Sequence, residues 1–143
     1  MNIAIDFDGT VVEHEYPKIG REIPFAVDTL KMLIRDRHNL ILWSCREGQL
    51  LDDAVEWCRK RGIEFYAVNR DYPEEQKEGN RSFSRKLKVD LFIDDRNVGG
   101  LPEWGVIYQM ISEKKTYEQV MRERLGHTDQ RHSSQRRHWW SRK

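Results

Sequence analysis

Residues 2–10 read Asn2-Ile3-Ala4-Ile5-Asp6-Phe7-Asp8-Gly9-Thr10, a short apolar, β-branched run that stops on two acids and a glycine. Such a run predicts a strand, and Gly9 permits the sharp turn that ends it. If the extended conformation holds through Phe7, the Asp6 and Asp8 carboxylates leave on one side while Phe7 points into the core. The first strand therefore delivers two acids to its carboxyl end.

Working outward, residues 40–44 (Leu-Ile-Leu-Trp-Ser) form a continuous apolar run of the kind found in buried parallel strands, ending on Ser44. Residues 65–68 predict a third strand, residues 89–93 a fourth that ends on Asp94-Asp95, and residues 106–108 a short fifth. Between them, apolar residues at helical spacing predict a helix over residues 24–37, with Pro24 in its first turn, and another from Leu50 to Cys58, closed by Gly62. A last helix is expected over residues 116–125. Residues 69–84 turn polar and are expected to be a surface loop or short irregular helix, a length at which loops in compact domains often carry function. This alternation predicts an α/β fold: a Rossmann-like, doubly wound, mainly parallel five-stranded sheet with helices on both faces.

A chain of 143 residues with 38% hydrophobic content has room for one domain of ordinary size, placed at residues 1–125. No apolar run approaches the ~20 residues of a membrane span. Met1 is followed directly by the strand, without a basic start, apolar stretch and cleavage site, so a cytoplasmic location is expected. Cys45 and Cys58 are then expected to be free thiols. The net charge of +1 is uneven: residues 126–143 carry five cations against Asp129, which leaves −3 for the rest. That tail lacks apolar periodicity and reads as disordered. Its Trp139-Trp140 pair among Arg136, Arg137, Arg142 and Lys143 could stack on bases or dip into a membrane surface, but an idle, solvated terminus is the favoured reading. His127, His132 and His138 lack zinc-like partners. Neither nucleic acid nor membrane is favoured as a partner, and homo-oligomerisation stays open.

In a doubly wound sheet, ligands bind at the carboxyl ends of the strands. Here those ends present Asp6 and Asp8, Ser44, and Asp94 and Asp95. Acids so close raise one another's pKa unless a cation intervenes. Mg²⁺, which takes oxygen ligands and keeps several waters, is the fitting cofactor. With a hydroxyl from Ser44 and a cation from Lys86 or Lys88, these groups suit phosphoryl transfer, where the work is positioning and neutralising charged oxygens.

The set resembles the haloacid dehalogenase superfamily. Its first motif matches Asp6-Phe7-Asp8-Gly9-Thr10; its second, a Ser or Thr closing the second strand, matches Ser44 in Trp43-Ser44-Cys45-Arg46-Glu47-Gly48; its third, a lysine, matches Lys86 ahead of Lys88; its fourth, an acidic pair, matches Asp94-Asp95. The resemblance covers about residues 1–125. It implies that Asp6 attacks phosphorus to form an aspartyl-phosphate, while Asp8 protonates the leaving oxygen and later activates water. It implies Mg²⁺ held by Asp6, the Asp8 backbone carbonyl and Asp94, with Asp95 a ligand or support, and a phosphorylated small molecule bound by Ser44 and Lys86. Thr10, Cys45 and Arg46 are added to the substrate set, although an ion pair with Glu47 or another acid is an equal reading of Arg46. Asp8 favours phosphate over carbon-halogen chemistry. The short gaps at residues 11–22 and 69–84 leave no room for a separate cap domain.

Bland readings compete. Asp-x-Asp-Gly-Thr alone could be a solvated strand exit, and Ser44 alone a plain strand-end hydroxyl. Cys45 fails as a phosphatase nucleophile because the residue six further on is Leu51 rather than arginine. Two other classes stay open: a phosphoacceptor domain, though the third strand ends in Val68-Asn69 without an acceptor acid, and a non-catalytic binder of phosphorylated ligands on the same fold.

Overall fold

The computed structural model describes residues 1–75 and 86–126. The chain divides into two compact units, Met1–Leu101 and Pro102–Lys143. The proposed tail lies outside the described residues except for Gly126, as does most of the polar segment at 69–84.

The first unit is α/β. Strand β1 (Asn2–Ile5) is followed by helix α1 (Ala26–Arg35), β2 (Asn39–Leu42), α2 (Gly48–Arg59), β3 (Ala67–Val68) and β4 (Leu91–Ile93). The sheet order is β3-β2-β1-β4 and every pairing is parallel. Central β1 aligns Ile3 with Leu40 and Leu91, and Ile5 with Leu42 and Ile93. Its residues Ile3, Ala4 and Ile5 are all buried, which explains why it reads as a continuous apolar run rather than an alternating one. On one face Ala4, Ile41, Ala67 and Leu87 form a cluster beneath Trp43 and Phe92, whose rings meet with centroids 4.9 Å apart.

The helices follow their apolar spacing. In α1, Ala26, Val27, Leu30 and Leu33 are buried; in α2, Ala54 and Cys58 are buried one turn apart, and Trp57 meets Phe7 edge-on at 5.7 Å. Residues 11–23 close as a hairpin, Glu13 N–H donating to Arg21 O and Ile23 N–H to Val11 O, so the gap after β1 is short, as expected.

Topology then fixes a special place. The chain winds outward from β1 to β2 to β3, then returns to the other edge of β1 as β4. The reversal puts a crevice at the carboxyl ends of β1 and β4, the place where open parallel sheets bind ligands.

The second unit holds α3 (Trp104–Glu113) and α4 (Tyr117–Arg124). The expected fifth strand at 106–108 is part of α3, so the sheet has four strands among the described residues. Trp104, Ile107 and Ile111 are buried at helical spacing, a periodicity that extends beyond the three residues read as a strand. The last helix is as expected: Thr116 and Gln119 form a capping box, each side chain accepting from the other's backbone N–H. Arg124 Nε donates to Gln109 Oε1, tying α4 to α3.

Candidate metal and phosphoryl site

Beyond Ile5 the strand continues for one more rung, Asp6 N–H donating to Ile93 O at 3.0 Å. That rung sets the start of the acidic pair from β4 beside Asp6. One oxygen each from Asp6, Asp94 and Asp95 lies within 4.8 Å of the others, and all three residues are partly buried. Gly9, with φ of +88°, makes this approach possible, because a Cβ there would collide with the Asp95 carboxylate.

Thr10 knits the two motifs together. Its hydroxyl donates to Asp6 Oδ2 at 3.0 Å, accepts from Asp95 N–H at 3.0 Å and lies 3.4 Å from Asp95 Oδ1. Asp94 Oδ1 accepts from Arg96 N–H, and the Asp94 carbonyl from Asn97 Nδ2, which holds the turn after β4.

This geometry has an electrostatic cost. Burial, above all, and repulsion from Asp94 and Asp95 raise the Asp6 pKa to about 7, outweighing hydrogen bonds from Phe7 N–H and Thr10 that favour the carboxylate. Three hard oxygen donors with an unmet demand for positive charge fit a magnesium ion, which binds few carboxylates and completes its shell with water and phosphate oxygens.

Asp8 is handled differently. Its carboxylate is outside the three-acid group and takes a bidentate ion pair from Arg46: Nε to Oδ2 and Nη2 to Oδ1, both at 2.7 Å. Arg46 is 1% exposed and Nη1 also reaches the Pro17 carbonyl, so of the two readings of this residue the ion pair, here with Asp8, is the one its contacts describe. Thr10 is 0% exposed, and its hydroxyl bonds Asp6 and the Asp95 N–H.

Ser44 follows β2 at the same end of the sheet, and its Oγ accepts from Arg46 N–H at 3.1 Å. Cys45 is exposed beside it; Cys58 is buried, which pushes its thiol up to about 12, and both are free thiols. Of the two candidate lysines, exposed Lys86 has Nζ 5.7 Å from the Phe92 ring, on the strand leading to Asp94. Lys88 lines an open depression of about 710 Å³ with Asn2, Tyr66, Asp71, Tyr72 and Glu75. Asn2 begins β1, so Lys88 lies at the opposite end of the sheet from the acids.

Asn69 is a residue that sequence reasoning noticed only as a missing acid. Its side-chain amide clamps Ser44 from both sides, Oδ1 accepting from Ser44 N–H at 2.9 Å and Nδ2 donating to Ser44 O at 3.1 Å. The signal available in sequence is the asparagine itself after a strand, since asparagine tolerates the left-handed region it adopts here, with φ of +52°.

No family model and no curated protein compared with the chain matches it. A solved structure of a conserved protein from Bacteroides thetaiotaomicron does, at 68% identity over 84% of this chain and 96% of that one, with a TM-score of 0.75. At that identity and coverage the chain belongs to the same family as this conserved Bacteroides protein.

Proposed function

We propose that the chain is a Mg²⁺-dependent phosphohydrolase of the haloacid dehalogenase type, without a separate cap domain, its doubly wound sheet covered on both faces. The observation that carries this is the convergence of Asp6, Asp94 and Asp95 at the switch point of a parallel sheet. Asp6, Asp94 and Asp95, with the Asp8 carbonyl, would hold the ion. When bound, Mg²⁺ neutralises the three acids and the phosphoryl oxygens.

Asp6 is the nucleophile. One of its oxygens bonds to phosphorus as the bond to the leaving oxygen breaks, giving an aspartyl-phosphate and, with a proton from Asp8, an alcohol. Asp8 then takes a proton from water as that water attacks phosphorus and frees Asp6. Ser44 and Lys86 bind the phosphoryl oxygens, and a phosphorylated small molecule is the substrate class.

The engagement of both Asp8 oxygens by Arg46 favours a second reading, a phosphoacceptor domain in which Asp6 is phosphorylated and released slowly. One experiment separates the two. Phosphate release is measured over a panel of phosphorylated metabolites and nucleic-acid ends, with and without Mg²⁺, for wild type and Asp6→Asn. Multiple turnovers that need both Mg²⁺ and Asp6 support the hydrolase. A stoichiometric burst without turnover supports the acceptor, and no reaction with any phosphodonor removes both.

A further inference from the structure

Arg46 is the only fully buried charged side chain among the described residues, and the phosphohydrolase reading leaves it without a task. A guanidinium is expensive to bury unless its donors are met by good acceptors. Here they are met from two directions. Nε and Nη2 hold the two oxygens of Asp8, while Nη1 donates to Pro17 O at 3.1 Å and Nη2 also to Lys18 O at 2.8 Å. The guanidinium carbon lies 5.4 Å from the Phe7 ring centroid and 5.3 Å from that of Tyr16, and the Arg46 backbone N–H is fixed by Ser44 Oγ.

Each contact restricts a different freedom. The Phe7 and Tyr16 rings hold the guanidinium plane, the two carbonyls fix its depth, and the planar fork then allows the Asp8 carboxylate essentially one orientation. Asp8 retains 12% side-chain exposure, so a route to it from solvent stays open while Arg46 itself is sealed. A residue so committed cannot reach a substrate oxygen without giving up these partners.

We infer that Arg46 is a positioning residue: anchored on the Pro17 and Lys18 carbonyls, it grips both oxygens of Asp8 and so sets where that carboxylate points relative to Asp6, and it does not bind substrate. The kinetic part of the claim rests on the phosphohydrolase reading; the geometric part does not.

The decisive variant is Arg46→Lys, which keeps the charge and loses the fork. Steady-state rates are compared on p-nitrophenyl phosphate, whose leaving group needs little protonation, and on ethyl phosphate, whose leaving group needs much. Inorganic phosphate serves as a competitive probe of binding. If Arg46 acts through Asp8, kcat on ethyl phosphate falls on the order of 10²-fold, kcat on p-nitrophenyl phosphate by less than about tenfold, and the phosphate inhibition constant stays within about twofold. In an Asp8→Asn background, Arg46→Lys then changes kcat by less than about twofold more. An inhibition constant that rises about tenfold while kcat holds would make Arg46 a substrate ligand and overturn the inference, as would a full second loss in the Asp8→Asn background.

If the wild type hydrolyses no ester, the functional reading falls by itself, and amide hydrogen exchange over residues 14–20 decides the positioning claim. Faster exchange in Arg46→Lys and in Asp8→Asn, with the double variant no faster than either, supports it. Unchanged exchange, or additive effects, overturns it.

Discussion

Asp6 and Asp8 are two residues apart on one strand exit, yet the fold treats their charges in opposite ways. Asp6 sits with Asp94 and Asp95, and burial and their repulsion drive its pKa up to about 7. Asp8 has a buried arginine to itself, bound through both oxygens. One carboxylate is left short of positive charge and the other is fully supplied. The difference teaches where an added cation belongs: beside Asp6, because an ion near Asp8 would compete with a guanidinium already in place. Neutralising Asp6 and removing the cation that serves Asp8 should therefore act with opposite sign on stability, which gives the comparison its sharpest test.

The largest effect is expected from Asp6→Asn. As the loss of the proposed nucleophile it should lower turnover on the order of 10³-fold or more, measured as Mg²⁺-dependent phosphate release. Without metal, the same variant should be more stable than wild type at pH 7.5. The folded-state pKa of Asp6, about 7, lies above the ordinary value of 3.8, so the native state binds the extra proton between those two values. Stability linked to Asp6 is fully present below pH 3.8 and is lost as pH rises through 7. Asparagine removes that loss, and a gain of roughly 1–2 kcal/mol, or about 3–8 °C in Tm, should appear at pH 7.5 and vanish near pH 4. A variant less stable than wild type at pH 7.5 would break the contrast.

Next in size is Arg46→Met. Removing the cation leaves the Asp8 carboxylate and two backbone carbonyls without their donor, and loss of one partner of a buried pair costs about 3–5 kcal/mol. Asp8 keeps some exposure, so the lower end is expected. Chemical denaturation checks it, and a loss under about 1 kcal/mol would make the pair a surface-like contact rather than an internal one.

Magnesium should then reverse the deficit at Asp6. At a concentration about 100 times its dissociation constant, Mg²⁺ should stabilise the wild type by roughly 2.7 kcal/mol, and the effect should be absent in Asp6→Asn. Asp94→Ala should weaken Mg²⁺ affinity more than Asp95→Ala, because part of the Asp95 group already answers to Thr10 whereas the Asp94 carboxylate accepts a backbone N–H from Arg96. Calorimetric titration of both variants decides the order.

Much of this site was legible because its signals are local. Strand runs that stop on acids mark where carboxylates leave a sheet, and the glycine at position 9 marks where the backbone must turn. The acids themselves could be read from the chain, and so could the three crossovers that make the sheet parallel. Partner choice could not. Nothing in Trp43-Ser44-Cys45-Arg46 says that Arg46 folds back onto Asp8, 38 residues earlier, because that contact exists only once β1 and β2 are paired and residues 16–18 are in place. Thr10 is similar: a hydroxyl beside an Asp-x-Asp run reads as a ligand from sequence, and only the fold shows it bonding Asp6 and Asp95, 85 residues on. The fifth strand failed for the opposite reason, since three apolar residues satisfy either period and the deciding positions, Trp104 and Ile111, lie outside the three.

The smallest expected effect sharpens the comparison most cleanly. Thr10→Val keeps the shape of the side chain and deletes the hydroxyl that Asp6 accepts from and Asp95 N–H donates to. Asp6 then loses a bond that favours its charged form, so its pKa should move further above 7, and the fall of stability with pH should extend to higher pH. The net cost should be about 1–2 kcal/mol, because an N–H is left without its acceptor. Metal must displace the proton more often, so Mg²⁺ affinity at pH 7 should fall while affinity at pH 9 changes less. The Asp8–Arg46 pair is held by its own two-point contact, and the cost of Arg46→Met should be the same in the Thr10→Val background within about 0.5 kcal/mol. Additive behaviour there would establish the two carboxylates as independent devices on one strand exit; coupling above 1 kcal/mol would show that charge at one is felt through the backbone of Phe7 at the other.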